Sequence, residues 1–264
     1  MNAHSIHATP SPPEILQLAG HRLRWRLMNE LARSDRAVRE LTQLVGEPQN
    51  LISYHLGKLR TAGLVSARQS SADRRDTYYA LDLASIGGLL AAAGRAIHPG
   101  LRLNPAIRDT IKPKPTKVLF LCTGNSARSQ MAEALAVALS GGAIEAHSAG
   151  SHPKPLHPNA VRVMKEEHGL DLTGHQPKHQ DIYADAHFDL VISLCDKVRE
   201  VCPHFPGRPA EIHWSLPNPA TGEADNVTYP LFQQTAAELV TRIGYLLATL
   251  ADEAAGPSDD KEVP

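Results

Sequence analysis

Lys117-Val-Leu-Phe-Leu-Cys122-Thr-Gly-Asn-Ser-Ala-Arg128-Ser129 is the stretch on which the reading of this chain turns. Residues 117–121 form an apolar run short enough for a buried strand, and Gln130 to Leu139 reads as a helix. A strand, a tight loop and a helix start in that order direct several backbone N–H groups at one point. The positive end of the helix dipole lies at the same place. Such a nest binds a tetrahedral oxyanion and favours the thiolate form of a cysteine seated in it. Thr123, Gly124, Asn125, Ser126 and Ala127 would supply the ring around Cys122. Arg128 adds a planar bidentate clamp, and the Ser129 hydroxyl can donate to the sulfur. The chemistry implied is a sulfur nucleophile attacking a bound, phosphate-like anion.

This order of residues resembles the low-molecular-weight tyrosine phosphatase family, which includes the thioredoxin-coupled arsenate reductases. From Lys117 to about Leu250 strands and helices alternate, which predicts a parallel sheet covered on both faces. Strands are expected at Lys117–Leu121, Ile144–Ala149, Leu190–Leu194 and Glu211–Trp214, and helices at Ser129–Leu139, Asn159–His168 and Pro230–Leu250. Cys195 ends the apolar run Asp189-Leu-Val-Ile-Ser-Leu194, and Cys202 follows seven residues later. By themselves these are two thiols that a core could simply bury.

The resemblance implies more, a relay of three cysteines. Cys122 would attack arsenate, Cys195 would attack Cys122 and release arsenite, and Cys202 would take the disulfide over for thioredoxin to reduce. Each of the two exchanges needs only thiolate access and a sulfur leaving group. His213-Trp-Ser-Leu-Pro-Asn-Pro219 resembles the family segment whose Asp-Pro pair supplies the general acid, but Asn218 occupies the acid's position. An amide is no proton donor of that kind, and losing such a group lowers a rate by about 10²–10⁴-fold. Glu223 and Asp225 are the nearby carboxyl groups that could substitute.

The chain has 264 residues, enough for about two domains. Its net charge of −1 conceals an asymmetry. Residues 1–110 carry 14 Lys+Arg against 9 Asp+Glu, and the remainder carries 13 against 19. A basic front half suits nucleic acid. All three cysteines fall in the second half, an odd number too small for a disulfide scaffold, which predicts a reducing cytoplasm. No apolar run reaches membrane-spanning length, and the first dozen residues lack the order of a secretory signal. His175 and His179 stand at helical spacing but without a cysteine pair or a His-Glu-x-x-His run, so no metal site is expected.

In the front half Leu23, Leu27 and Leu31 mark one face of a helix containing Trp25, and Val38, Leu41 and Val45 mark a second. Gly46-Glu-Pro-Gln-Asn50 reads as a turn, with Asn50 suited to cap a third helix over about Leu51–Ala62. Ile52, Leu56 and Leu59 face inward, which leaves Gln49, Asn50, Ser53, Tyr54 and Lys58 outward and His55 half-buried. Gly63 ends the helix. Two short strands, Leu64–Gln69 and Thr77–Leu81, flank the loop carrying Arg74 and Arg75. This is a helix-turn-helix with a basic wing: polar side chains at the helix start for base edges, wing arginines for phosphates.

The order from His21 to Leu81, above all Leu51-Ile-Ser-Tyr-His-Leu-Gly-Lys-Leu-Arg-Thr-Ala-Gly-Leu-Val65, resembles the ArsR-type winged-helix repressors. The resemblance implies double-stranded operator DNA as partner and a homodimer held through Pro13–Ala19 and Ala84–Ile97. Arsenic-sensing relatives carry a cysteine pair where this chain has Val38-Arg-Glu-Leu-Thr42, and the Asp–His pair of zinc-sensing relatives is missing after Asp82.

The expected architecture is therefore a disordered N-terminus (1–12), a mainly-α winged helix-turn-helix (13–98), a linker (99–116), an α/β domain with a parallel four-stranded sheet (117–251) and a disordered acidic tail (252–264). Taken together, the two resemblances imply a DNA-binding repressor fused to an arsenate reductase, without a tightly bound cofactor and with thioredoxin as electron donor. Two alternatives stand beside it: a regulator whose second half mainly senses arsenite or redox state, and a tyrosine phosphatase.

Overall fold

The computed structural model describes residues 12–98, 115–200, 205–222 and 224–255. Expectations for the first eleven residues, most of the linker, Cys202, Glu223 and the chain beyond 255 lie outside these.

The front half runs α1 (Glu14–Ala19), α2 (Arg22–Arg33), β1 (Arg36–Ala37), α3 (Val38–Val45), α4 (Gln49–Thr61), β2 (Val65–Gln69), β3 (Thr77–Leu81) and α5 (Leu83–Ile97). Its antiparallel sheet has the order β1-β3-β2. Leu27, Leu31, Leu41, Ile52, Leu56, Leu59 and Leu64 form its core, the apolar faces read from the helical spacing. Gly46, at φ +72°, ends α3 in the left-handed region and turns the chain into α4. Helix α4 begins earlier than expected and Asn50 does not cap it. Pro48 is the cap residue, and its carbonyl already accepts the N–H groups of Leu51 and Ile52. Asp82 caps α5 by accepting from Ser85 N–H at 2.9 Å.

The second half runs β4 (Thr116–Cys122), α6 (Arg128–Ser140), β5 (Ile144–Gly150), α7 (Pro158–His168), a 3-10 turn (Gln180–Tyr183), β6 (Leu190–Ser193), α8 (Asp196–Glu200), β7 (Ala210–His213) and α9 (Asp225–Ala255). All four strands are parallel in the order β5-β4-β6-β7. Val118, Leu119, Phe120 and Leu121 are fully buried, as a strand covered on both faces requires. Strand β4 lies between β5 and β6, so the strand order reverses at β4 and opens the crevice beyond its carboxyl end, where Cys122 is placed.

Helix α9 lays Phe232, Ala236, Leu239 and Ile243 into this core. It starts at Asp225, before Pro230, and runs to Ala255, so residues 252–255 are helical where a tail was expected. Pro230 is accommodated because it removes only one hydrogen bond near the helix start. None of the described helices is long and apolar enough to cross a membrane.

The two cores meet along a short seam. Asp35 N–H donates to His213 O at 2.9 Å, His213 N–H to Ser34 Oγ at 2.9 Å, and Ser215 N–H to Asp35 Oδ2 at 2.7 Å. Arg242 closes the seam on Asp35 at 2.9 Å.

Gly150, at the end of β5, lies against the loop after β4. A Cβ there would come within 2.7 Å of the Cys122 and Thr123 carbonyl oxygens and 2.8 Å of Asn125 N. Backbone cannot yield as a side-chain tip can. Gly150→Ala is expected to lower the unfolding free energy by about 1–3 kcal/mol, read as a lower urea midpoint at unchanged slope. Gly244→Ala on the exposed face of α9, where a Cβ meets nothing, should raise stability by about 0.5–1 kcal/mol.

Candidate active site and nucleic-acid interface

The loop after β4 turns its carbonyls outward. Thr123 O, Gly124 O and Ser126 O accept from the N–H groups of His152, Lys154 and His157 at 2.8–2.9 Å. The N–H groups of Gly124, Asn125, Ser126 and Ala127 donate to no protein acceptor among the described residues. Because a trans peptide sets C=O and N–H on opposite sides, those of Gly124, Asn125 and Ala127 point away from the bonded carbonyls.

Asn125 lies in this loop at φ +42°, a left-handed conformation that Asn tolerates better than most residues. Its side chain is fully buried and fully satisfied. The amide nitrogen donates to Ser129 Oγ and Ser148 Oγ at 2.9 Å; the amide oxygen accepts from Lys178 N–H at 2.7 Å and Gln130 Nε2 at 3.0 Å. Four bonds exhaust what an asparagine can make, so only its backbone N–H remains for an anion. Ser129 Oγ, which accepts from Asn125, also lies 3.0 Å from Cys122 Sγ, within reach of donating its hydrogen to a thiolate there. Behind Ser148 the chain of contacts continues to Glu133 and its ion pair with Lys178.

Arg128 is buried, and its Nη1 donates to Leu216 O at 2.8 Å and Leu194 O at 3.3 Å. Its other N–H groups make no hydrogen bond among the described residues, which leaves one side of the guanidinium fork for an oxyanion. Cys195 follows β6, the neighbour of β4, and its Sγ lies 3.3 Å from Thr123 Oγ1, one residue from Cys122. The structure therefore brings two of the three expected thiols to one edge, both buried and both free. Cys202 lies outside the described residues.

Asn218 is on the loop after β7, two residues beyond the carbonyl that holds Arg128. It is exposed, and its amide donates to Ala220 O at 2.8 Å. Asp225, one of the two carboxyl groups expected as substitutes, is bonded to Asn159 at 2.7 Å and to Arg162 at 3.3 Å. His175 and His179 serve as local hydrogen-bonding groups, to Gln130 Oε1 and Ser151 O.

Residues 117–255, just over half of the chain, match the family model for low molecular weight phosphotyrosine protein phosphatases. The chain belongs to that family. Residues 22–67 match the model for bacterial regulatory proteins of the arsR family. Over 126 residues the chain is 39% identical to an arsenate reductase of Brevibacillus brevis, a match covering 48% of this chain and 90% of the relative. An arsenate reductase of Halalkalibacterium halodurans is 36% identical over 127 residues, covering 48% and 91%. One from Bacillus subtilis is 35% identical over 127 residues, again covering 48% and 91%.

In this family member the matched segment is preceded by a winged helix-turn-helix whose DNA-facing candidates are all exposed. Gln49, Asn50, Ser53, Tyr54 and Lys58 line the outer face of α4, with Lys58 Nζ 5.7 Å from the Tyr54 ring centre. His55 is more deeply buried than expected, 5% exposed and against His21, and burial pushes its imidazole below the usual histidine range. On the wing Arg74 is exposed, whereas Arg75 pairs with Asp73, and that hydrogen-bonded guanidinium holds the Asp73 carboxyl at about 2. An exposed pair of this kind is screened by solvent, so a phosphate can compete for the guanidinium.

Sequence reasoning missed α8 and Asp196, its first residue. Asp196 is 1% exposed and accepts from His213 Nε2 at 3.1 Å, Ser215 Oγ at 2.7 Å, Ser71 N–H at 2.7 Å, Ser71 Oγ at 2.9 Å and Arg68 Nη2 at 2.7 Å. Burial opposes its charge, but these hydrogen bonds outweigh it and hold the carboxyl far below the usual range. The only local signal was a carboxylate directly after Cys195.

Restoring an acid at the rim should restore proton donation to an alkoxide. Asn218→Asp is expected to raise hydrolysis of an aryl phosphate by at least about 10-fold, the lower side of what general acids supply, measured as phenolate release under saturating substrate.

Proposed function

We propose that the chain is a bifunctional arsenic-resistance protein: residues 13–98 bind operator DNA as a repressor, and residues 117–251 reduce arsenate to arsenite in the cytoplasm. The observation that carries the enzymatic reading is the convergence of Cys122 and Cys195 at the carboxyl ends of adjacent strands, one at the start of a loop whose amides lack a protein acceptor among the described residues and the other 3.3 Å from Thr123 Oγ1. A phosphatase of this family needs one thiol there. Two thiols supply the two electrons that convert arsenic(V) to arsenic(III).

In the proposed cycle arsenate is held by the loop amides and the free side of the Arg128 fork. Cys122 sulfur attacks arsenic and displaces one oxygen as water. Cys195 sulfur then attacks Cys122 sulfur; the S–As bond breaks, its electron pair stays on arsenic, and arsenite leaves. Cys202 next attacks Cys195, releasing the Cys122 thiolate and moving the disulfide to Cys195–Cys202. A dithiol carrier, thioredoxin by the family resemblance, reduces that bond. Leaving-group protonation matters less here than in ester hydrolysis, which accords with Asn218 at the acid position.

The front half would place α4 in the major groove with the wing against the backbone. A homodimer through α1 and α5 accords with the exposed apolar side chains Leu16, Leu89 and Ile97. A second reading, a regulator whose reductase-like half mainly senses arsenite or redox state, is favoured by the contact of the wing with Asp196.

Arsenate-dependent NADPH oxidation with thioredoxin and thioredoxin reductase tests the enzymatic reading. Wild type should turn over, and Cys195→Ser should abolish multiple turnover. No turnover, with release from DNA on adding arsenite, would favour the sensor. Aryl phosphate hydrolysis indifferent to Cys195→Ser would favour the phosphatase. For the DNA reading, Arg74→Ala with Arg75→Ala should weaken binding to any duplex. The slope of log affinity against log salt should flatten by about 0.9 for each phosphate contact removed, measured by fluorescence anisotropy.

A further inference from the structure

Helix α8 begins at the residue after Cys195, and both of its ends are fastened to the front half. At its start Asp196 accepts two bonds from Ser71 and two charged bonds from Arg68 Nη2, one to each oxygen, both residues on the wing. Arg68 also donates through Nε to Ser215 O at 2.9 Å. At its far end Arg199 pairs with Glu40 and lies 5.3 Å from the Tyr78 ring centre on β3. Glu40 in turn accepts from Ala37 N–H at 2.7 Å and so fixes the start of α3, the helix before the DNA-facing α4. One five-residue helix thus holds the wing and the first helix of the DNA-binding motif.

We propose that Arg68 and Ser71 are positioning residues for the Cys195 thiol, and that α8 is a latch released when Cys195 enters a disulfide. The proposal rests on the thiol relay of the proposed function. With both cysteines free, Cys195 Sγ stays on the Thr123 hydroxyl and Cys122 Sγ on the Ser129 hydroxyl. A disulfide requires the two sulfurs at about 2.05 Å, and since both are free here at least one of them must shift toward the other. Asp196 is the residue next in the chain, and its five donors act at 2.7–3.1 Å. Bonds this short tolerate little displacement, and a shifted Cys195 draws Asp196 away from the wing.

Linkage makes the effect reciprocal. Wing contacts favour the dithiol state, and the disulfide favours a released wing, by the same factor. Arg74 and Arg75 are carried on the loop between the latched strands, so the oxidation state of the relay reaches the part of the chain that meets DNA phosphates.

The full chain carrying Cys202→Ser confines the chemistry to Cys122 and Cys195. Diamide, a dithiol oxidant that takes up both hydrogens as a hydrazine, converts this pair to the disulfide without arsenate. The protein is then equilibrated against mixtures of reduced and oxidised dithiothreitol, and the disulfide fraction is read by alkylation and mass spectrometry. Arg68→Ala is expected to shift the equilibrium toward the disulfide by at least about 5-fold, the lower end of typical couplings, with Arg68→Lys recovering most of the shift. Hydrogen exchange across residues 66–76 should be faster in the disulfide form, most of all at the Ser71 amide.

An equilibrium unmoved by Arg68→Ala, or a Ser71 amide equally protected in both forms, overturns the latch and leaves the relay standing. A pair that forms no disulfide at any ratio overturns both. Arsenate turnover lost while the diamide equilibrium still responds to Arg68 sinks the reductase reading alone.

Discussion

The outward pull on three carbonyls of the loop after β4 is the constraint from which the site follows. Peptide units are rigid, so a carbonyl bonded to the His152–His157 segment commits the N–H of the next residue to the other face. Amides aimed at one point repel one another and are poorly solvated when buried, so they favour an anion in their midst. The helix dipole of α6 adds to that preference. One loop conformation thus places Cys122 beside amides that have no protein acceptor among the described residues, the arrangement on which the proposed nucleophile and oxyanion site rest.

That conformation needs support, and the structure supplies it in layers. Asn125 adopts a left-handed backbone that side-chain-bearing residues usually avoid, and its four satisfied bonds offset the strain. Gly150 leaves room for β5 to pass within contact distance of the loop carbonyls. Glu133 and Lys178 terminate the buried polar chain in an ion pair, so that no member is left without a partner. Asn125 occupies one side of the Ser129 oxygen, whose other side meets Cys122 Sγ.

Local chemistry made much of this legible in the sequence. The strand at 117–121, the loop glycine, the helix after Arg128 and the alternation that follows are each determined within a few residues, and those elements stand where expected. Asn50 misled because a cap preference was weighed without Pro48, whose carbonyl closes the turn two residues sooner. Helix α8 escaped because five residues show no periodicity, and its stability comes from bonds to Arg68 and Ser71, more than 120 residues away. Asp35 and Ser34 were invisible for the same reason: their partners at 213–215 and Arg242 belong to the other core. Pairings over such separations leave no trace in spacing.

Those long-range bonds also bear on why the two halves share one chain. Arg68 lies on a strand that in a free-standing winged helix would present its cation to DNA or solvent. Here it neutralises a carboxylate that is 1% exposed, one residue from the Cys195 thiol. A buried charge pair tends to contribute more to specific geometry than to net stability, because desolvation offsets most of the attraction, while removing one partner leaves the other charge uncompensated. Removing Arg68 would take a cationic donor from a carboxylate that is 1% exposed. In the proposed latch this interaction stands between the Cys195 thiol and the loop that carries Arg74 and Arg75, which gives each half a means of biasing the other.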